Sequence, residues 1–114
     1  MSEERRLYPR VDAQIAIELI NCIGTQAHGT IINLSAGGML VAGDASLAQV
    51  YALQVGVPLE LSLCFVLAGE TVRCDARAVY RRRLSQQSYQ LGLEFSWLDP
   101  AGLQLIQAEV ATVN

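Results

Sequence analysis

Two short stretches carry the residues most capable of chemistry. The first is RRLYPR, which supplies Arg5, Arg6 and Arg10. Pro9 disfavours helical geometry at Tyr8, so the stretch reads as extended. In extended backbone an even separation puts side chains on one side, so Arg6 and Arg10 present two guanidinium forks in the same direction, with Arg5 beside them. The second is NLSAGGM, residues 33–39, lying between the apolar runs GTII and MLV. A simple hairpin needs only two turn residues. This corner instead carries Asn33, whose amide both donates and accepts, and Ser35, which in extended geometry points the same way. It also carries Gly37 and Gly38, which permit positive φ and close approach to the main chain. The two glycine amides can form a small anion-binding concavity. Arginine forks, an amide, a hydroxyl and open backbone together suit phosphates and flat, polar-edged rings. Taken separately, the first stretch also fits a solvated basic tail. The second also fits a tight corner closed by an Asx-type bond, which leaves Ser35 without a task.

Period-two alternation supplies the elements that must position these groups. Val11, Ala13, Ile15, Ile17 and Leu19 share one face of the first run, against Asp12, Gln14 and Glu18. Leu59, Leu61, Leu63 and Phe65 alternate with Glu60, Ser62 and Cys64. Val72, Cys74, Ala76, Ala78 and Tyr80 oppose Arg73, Asp75, Arg77 and Arg81. Tyr89, Leu91, Leu93 and Phe95 oppose Gln90, Gly92 and Glu94. Such runs are half-buried strands. Turn signals fall at residues 21–24, 68–69 and 84–87. With HGTII and GMLV the total is about six short antiparallel strands, which tend to close into a barrel because closure removes exposed edges. Residues 45–56 form a longer connection with room for a helical turn. Asp99 as N-cap and Pro100 at the first helical position predict a terminal helix over about 99–112. Its stripe of Leu103, Ile106, Val110 and Val113 would pack on the barrel. The organisation expected is an arm over residues 1–10, bearing the arginines and flexible, followed by one domain over residues 11–114.

The motif pair R-x-x-x-R and N-x-S-x-x-G, about 20 residues apart in an all-β chain, resembles the PilZ family. Arg6 and Arg10 fill the first motif, and Asn33, Ser35 and Gly38 the second, with Asn33 a permitted alternative to Asp. YQLGLEF, residues 89–95, is similar to that family's last barrel strand, so the resemblance spans essentially the whole chain. It implies a six-stranded antiparallel PilZ-type β-barrel with a C-terminal α-helix packed on it. It also implies binding of the bacterial second messenger cyclic di-GMP. Arg6 and Arg10 would clamp guanines and phosphates, Asn33 and Ser35 would hydrogen-bond the ligand, and Gly37 and Gly38 would keep the corner open. In the family an arginine at the position of Arg5 accompanies two stacked, intercalated ligand molecules, so a bound dimer is expected here. The function implied is a ligand-switched adaptor to a downstream protein effector, as monomer or weak homodimer. The alternative is a PilZ-like interaction module that binds no nucleotide, although such proteins generally lack one or both motifs.

Composition narrows the other classes. The chain has 114 residues, 52% of them apolar, and a net charge of −3. That size fits one domain, and the acidic balance argues against a nucleic-acid polymer as partner. All eight cations are arginine and none is lysine, the choice suited to forked recognition. Arg81, Arg82 and Arg83 read as a polar strand end, as helpers for ligand phosphates, or as a docking patch for an acidic partner. Tyr8 is placed either to stack on a guanine or to pack on the barrel. Cys22, Cys64 and Cys74 lack metal-ligand spacing and are expected to be reduced. His28 is the sole histidine, so no catalytic triad, metal site or cofactor is expected, nor an enzyme. No apolar run reaches the ~20 residues of a membrane span. The charged start leads into no signal-type apolar segment, so a cytoplasmic location is expected.

Overall fold

The computed structural model describes residues 10–51 and 59–113. Six strands, β1 (Arg10–Asn21), β2 (Gln26–Ser35), β3 (Gly38–Gly43), β4 (Glu60–Leu67), β5 (Glu70–Ser85) and β6 (Ser88–Leu98), form a closed antiparallel barrel in the order β1-β2-β3-β6-β5-β4. A short helix α1 (Ser46–Tyr51) follows β3, and α2 (Pro100–Val113) ends the described chain. The alternating apolar residues point inward as their spacing requires. Val11, Ile17, Leu19, Leu61, Leu63, Phe65, Val72, Cys74, Leu91 and Leu93 are all buried in one core.

The two helices join that core. Leu47 and Val50 of α1 and Ile106 of α2 are fully buried. Asp44 starts α1 by accepting from the Ser46 amide at 2.9 Å. Asn21 ties α1 to the β1–β2 turn: its amide nitrogen donates to the Val50 carbonyl at 3.2 Å, and its oxygen accepts from the Ile23 and Thr25 amides. This buried polar side chain is therefore satisfied, as burial demands. Gly102 lies where α2 approaches the sheet, and a Cβ there would be 3.0 Å from Val72 Cγ1. Its place in the first helical turn, costly in propensity, follows from that close packing.

Register shifts set which residues leave the core. Opposite β3, β2 carries one extra residue, Ile32, between the pairs Ile31↔Val41 and Asn33↔Leu40. Opposite β6, β5 carries extra residues at Val79 and Leu84, between Ala78↔Leu93 and Tyr80↔Gly92 and again between Arg83↔Tyr89 and Ser85↔Ser88. Each bulge flips the inside–outside parity of the strand residues beyond it. Tyr80, which simple alternation assigns to the inner face, is 40% exposed for this reason. Strand β5 also runs through Ser85, so the β5–β6 turn is confined to Gln86 and Gln87 and does not begin at Leu84.

Candidate functional site

The bulge at Ile32 is what creates the site. Ile31 is in the core, and without an extra residue Asn33 would follow it there. Instead Leu34 is fully buried and Asn33 faces out, half-exposed. Arg10 opens β1 directly opposite Ser35, so this arginine is held by the sheet. Arg10, Asn33, Ser35, Gly37 and Gly38 all line one open cleft of about 510 Å³, within the usual ~300–1,000 Å³ of ligand sites. Arg10 thus meets, in a single concavity, a corner that begins 23 positions later in the chain. Arg5, Arg6 and Tyr8 lie outside the described residues.

Ser35 has a definite structural task. Its buried Oγ accepts from the Gly37 amide at 3.1 Å and the Gly38 amide at 3.2 Å, and donates to the Gly38 carbonyl at 3.3 Å. The corner is therefore closed by its own hydroxyl. The two glycine amides are engaged there and do not form a vacant anion nest. Gly38 and Gly37 are also absent from the residues with positive φ. Gly38 is required for a different reason: a Cβ there would overlap the Leu93 carbonyl oxygen. Close approach of β3 to β6, reinforced by the Phe95 amide donating to the Gly37 carbonyl at 3.0 Å, fixes the corner against the barrel. Among the described residues no group hydrogen-bonds the Asn33 side chain, which leaves its donor and acceptor facing the cleft.

The opposite wall holds residues that alternation alone missed. Tyr80 and Val79 of β5 and Gly92, Leu93 and Glu94 of β6 line the cleft, as do Met39 and Leu40 of β3. Tyr80 lies across Gly92, where a Cβ would be 3.1 Å from ring atom Cδ2. Its hydroxyl donates to Gln90 Oε1 at 3.4 Å. The bare backbone at Gly92 and the Val79 bulge together lay this ring on the cleft wall, and the only sequence signal for it was an aromatic beside a glycine-bearing strand. Arg77 donates to Glu94 Oε1 at 2.7 Å across β5 and β6. The hydrogen bond and charge of Glu94 hold the Arg77 guanidinium protonated more firmly than usual. The pairing offsets the one carboxylate that lines the cleft among the described residues.

The rest of the described chain offers little reactive chemistry. The cysteines are free, and burial, with Asp75 and Cys64 nearby, pushes the Cys74 thiol up to about 12, which keeps it protonated and poorly nucleophilic. Among the described residues no His, Cys, Asp and Glu group could hold a metal ion, and no helix is long and apolar enough to cross a membrane.

The PilZ domain family matches residues 4–112. The chain belongs to that family. No curated protein matches this PilZ chain closely enough to count as a relative. Among solved structures, the Bacillus subtilis inhibitor of motility (MotI/DgrA) superposes with a TM-score of 0.71 at 18% identity, covering 96% of this chain and 51% of that one. The present chain therefore spans about half the length of MotI. The PilZ domain of CeSA from a cellulose-synthesizing bacterium gives 0.63 at 20% identity, over 91% of this chain and 96% of that one. The PilZ domain of Escherichia coli YcgR, solved with c-di-GMP, gives 0.67 at 16% identity, over 96% and 91%. At these identities the likeness establishes the PilZ barrel, in agreement with the architecture its alternation implies.

Proposed function

We propose that this PilZ domain is a receptor for cyclic di-GMP. The observation that carries the reading is the convergence of Arg10, Asn33, Ser35, Gly37 and Gly38 on one cleft, with the binding of c-di-GMP by the YcgR PilZ domain in support. The ligand offers guanine edges and phosphates. Arg10 and Arg6 meet them as bidentate donors, each such contact on a guanine being worth about 1–3 kcal/mol of discrimination. Asn33 supplies a donor and an acceptor from the sheet, and Ser35 and Gly38 hold the corner that seats the ligand. Arg5 adds a third guanidinium, which suits two intercalated ligand molecules with four phosphates between them. Ligand draws residues 1–9 across the cleft towards Arg10, which the sheet already holds there, and the changed surface is read by a downstream protein, a familiar form of switch.

Calorimetric titration of cyclic di-GMP into the protein tests this, with GMP as control. Tight binding at two ligands per chain is expected, weakened tenfold or more by Arg6→Ala or Arg10→Ala. A fitted stoichiometry of one would remove the intercalated pair. The absence of heat at high ligand concentration would overturn the receptor reading and leave an interaction module that uses no nucleotide.

A further inference from the structure

Beyond Ala78, strand β5 leaves the core. Its last seven residues are all exposed, so the β5–β6 hairpin over residues 79–90 continues as a ribbon with little of its β5 surface backed by the barrel. Its β6 strand stays paired on both sides, with β3 through Ala42↔Gln90 and Gly43↔Tyr89 and with β5 out to Ser85↔Ser88, so the exposed β5 residues are held on a supported frame. Its composition is equally distinctive. It holds Arg81, Arg82 and Arg83, three of the chain's eight cations, while no acid occurs between Asp75 and Glu94 in a chain with eleven. Beside the arginines, Val79 is 59% and Leu84 49% exposed. The Arg83 guanidinium is braced on the ribbon, 5.8 Å from the Tyr89 ring centroid, with its Nε donating to the Ser85 carbonyl at 3.1 Å. A braced arginine loses less entropy on binding than a loose one.

We infer that the β5–β6 ribbon is a docking surface for an acidic protein segment, one that alternates carboxylates with apolar side chains. Arginine and tyrosine are enriched where proteins bind one another, and exposed apolar residues beside them mark such contacts. Charge complementarity selects an acidic occupant. It selects a protein over a polyanion because three arginines fall below the 4–8 basic residues of a lipid-binding cluster, and the exposed Val79 and Leu84 offer apolar surface that a phosphate backbone does not use. The surface is coupled to the cleft, because Val79 and Tyr80 at the ribbon's base also form the cleft wall. The inference deepens the receptor reading by placing its output, but docking itself requires no nucleotide.

The test uses the full chain and a fluorescent, soluble peptide alternating glutamate with leucine, followed by anisotropy with and without cyclic di-GMP. A lysine–leucine peptide, phosphatidylglycerol vesicles and a single-stranded oligonucleotide serve as comparisons. Binding of the acidic peptide is expected, weakened at least tenfold by the double variant Arg82→Glu/Arg83→Glu and severalfold by Leu84→Ser. Both variants should keep wild-type far-ultraviolet circular dichroism and unfolding midpoints, since these side chains are exposed. Failure of the acidic peptide to bind, equal binding by the variants, or stronger binding to vesicles or oligonucleotide would overturn the inference. Loss of cyclic di-GMP binding in the wild type, with peptide docking intact, would instead overturn only the receptor reading.

Discussion

Ser35 and Gly38 show how one side chain and one missing side chain define a binding corner. The hydroxyl of Ser35 makes three contacts within the corner, and Ser35 is only 7% exposed. Its removal strands two amides and a carbonyl in a partly buried position. Ser35→Ala should therefore lower stability by about 1–3 kcal/mol, read as a shifted urea midpoint at constant slope. Gly38→Ala should cost about as much or more, because the added methyl meets a carbonyl of the neighbouring strand that cannot rotate away. An unchanged midpoint in Ser35→Ala together with weakened ligand binding would mean that the hydroxyl serves the ligand directly and not the corner. From residue types alone Ser35 looked idle in a bare turn, and the glycines looked chosen for positive φ. The hydroxyl's neighbours and the approach of β6 are properties of the folded barrel, so neither role could be read from the motif.

At the scale of elements, alternation located the strands because each has one wet and one dry face, and the apolar spacing records that directly. Single-residue bulges leave no comparable mark. Ile32 is as apolar as its neighbours, yet it moves Asn33 from the core side to the cleft. Val79 does the same for Tyr80. The pairing of β5 with β6 also joins Arg77 to Glu94, which the sequence separates by 17 positions. That pair is exposed at both ends, so its worth to stability is small, but its position beside the cleft gives it an electrostatic part in binding an anion. Arg77→Ala leaves the Glu94 carboxylate facing the ligand phosphates and should weaken cyclic di-GMP binding severalfold, less so at high salt. Glu94→Gln should strengthen it, and the double variant should return near the wild type. If the two single variants shift affinity in the same direction, the pair acts through the shape of the cleft wall and not through charge.

For the whole molecule, ligand and fold are linked through the same barrel. The cleft is built from β1, β2, β3, β5 and β6, so unfolding the domain destroys it and only the native state binds. Each bound molecule then adds stability as the logarithm of free ligand concentration, about 1.4 kcal/mol for every tenfold increase once the site is saturated. A single ligand gives that slope, and an intercalated pair gives twice it, about 2.7 kcal/mol per tenfold. Urea unfolding at a series of saturating cyclic di-GMP concentrations should therefore yield the doubled slope in the wild type. Arg5→Ala removes the guanidinium assigned to the second molecule while keeping the R-x-x-x-R motif whole, and it should reduce the slope to the single value. This measurement is independent of protein concentration errors that distort a calorimetric stoichiometry. A single slope in both proteins would mean that one ligand fills the cleft and that Arg5 has no part in counting ligands.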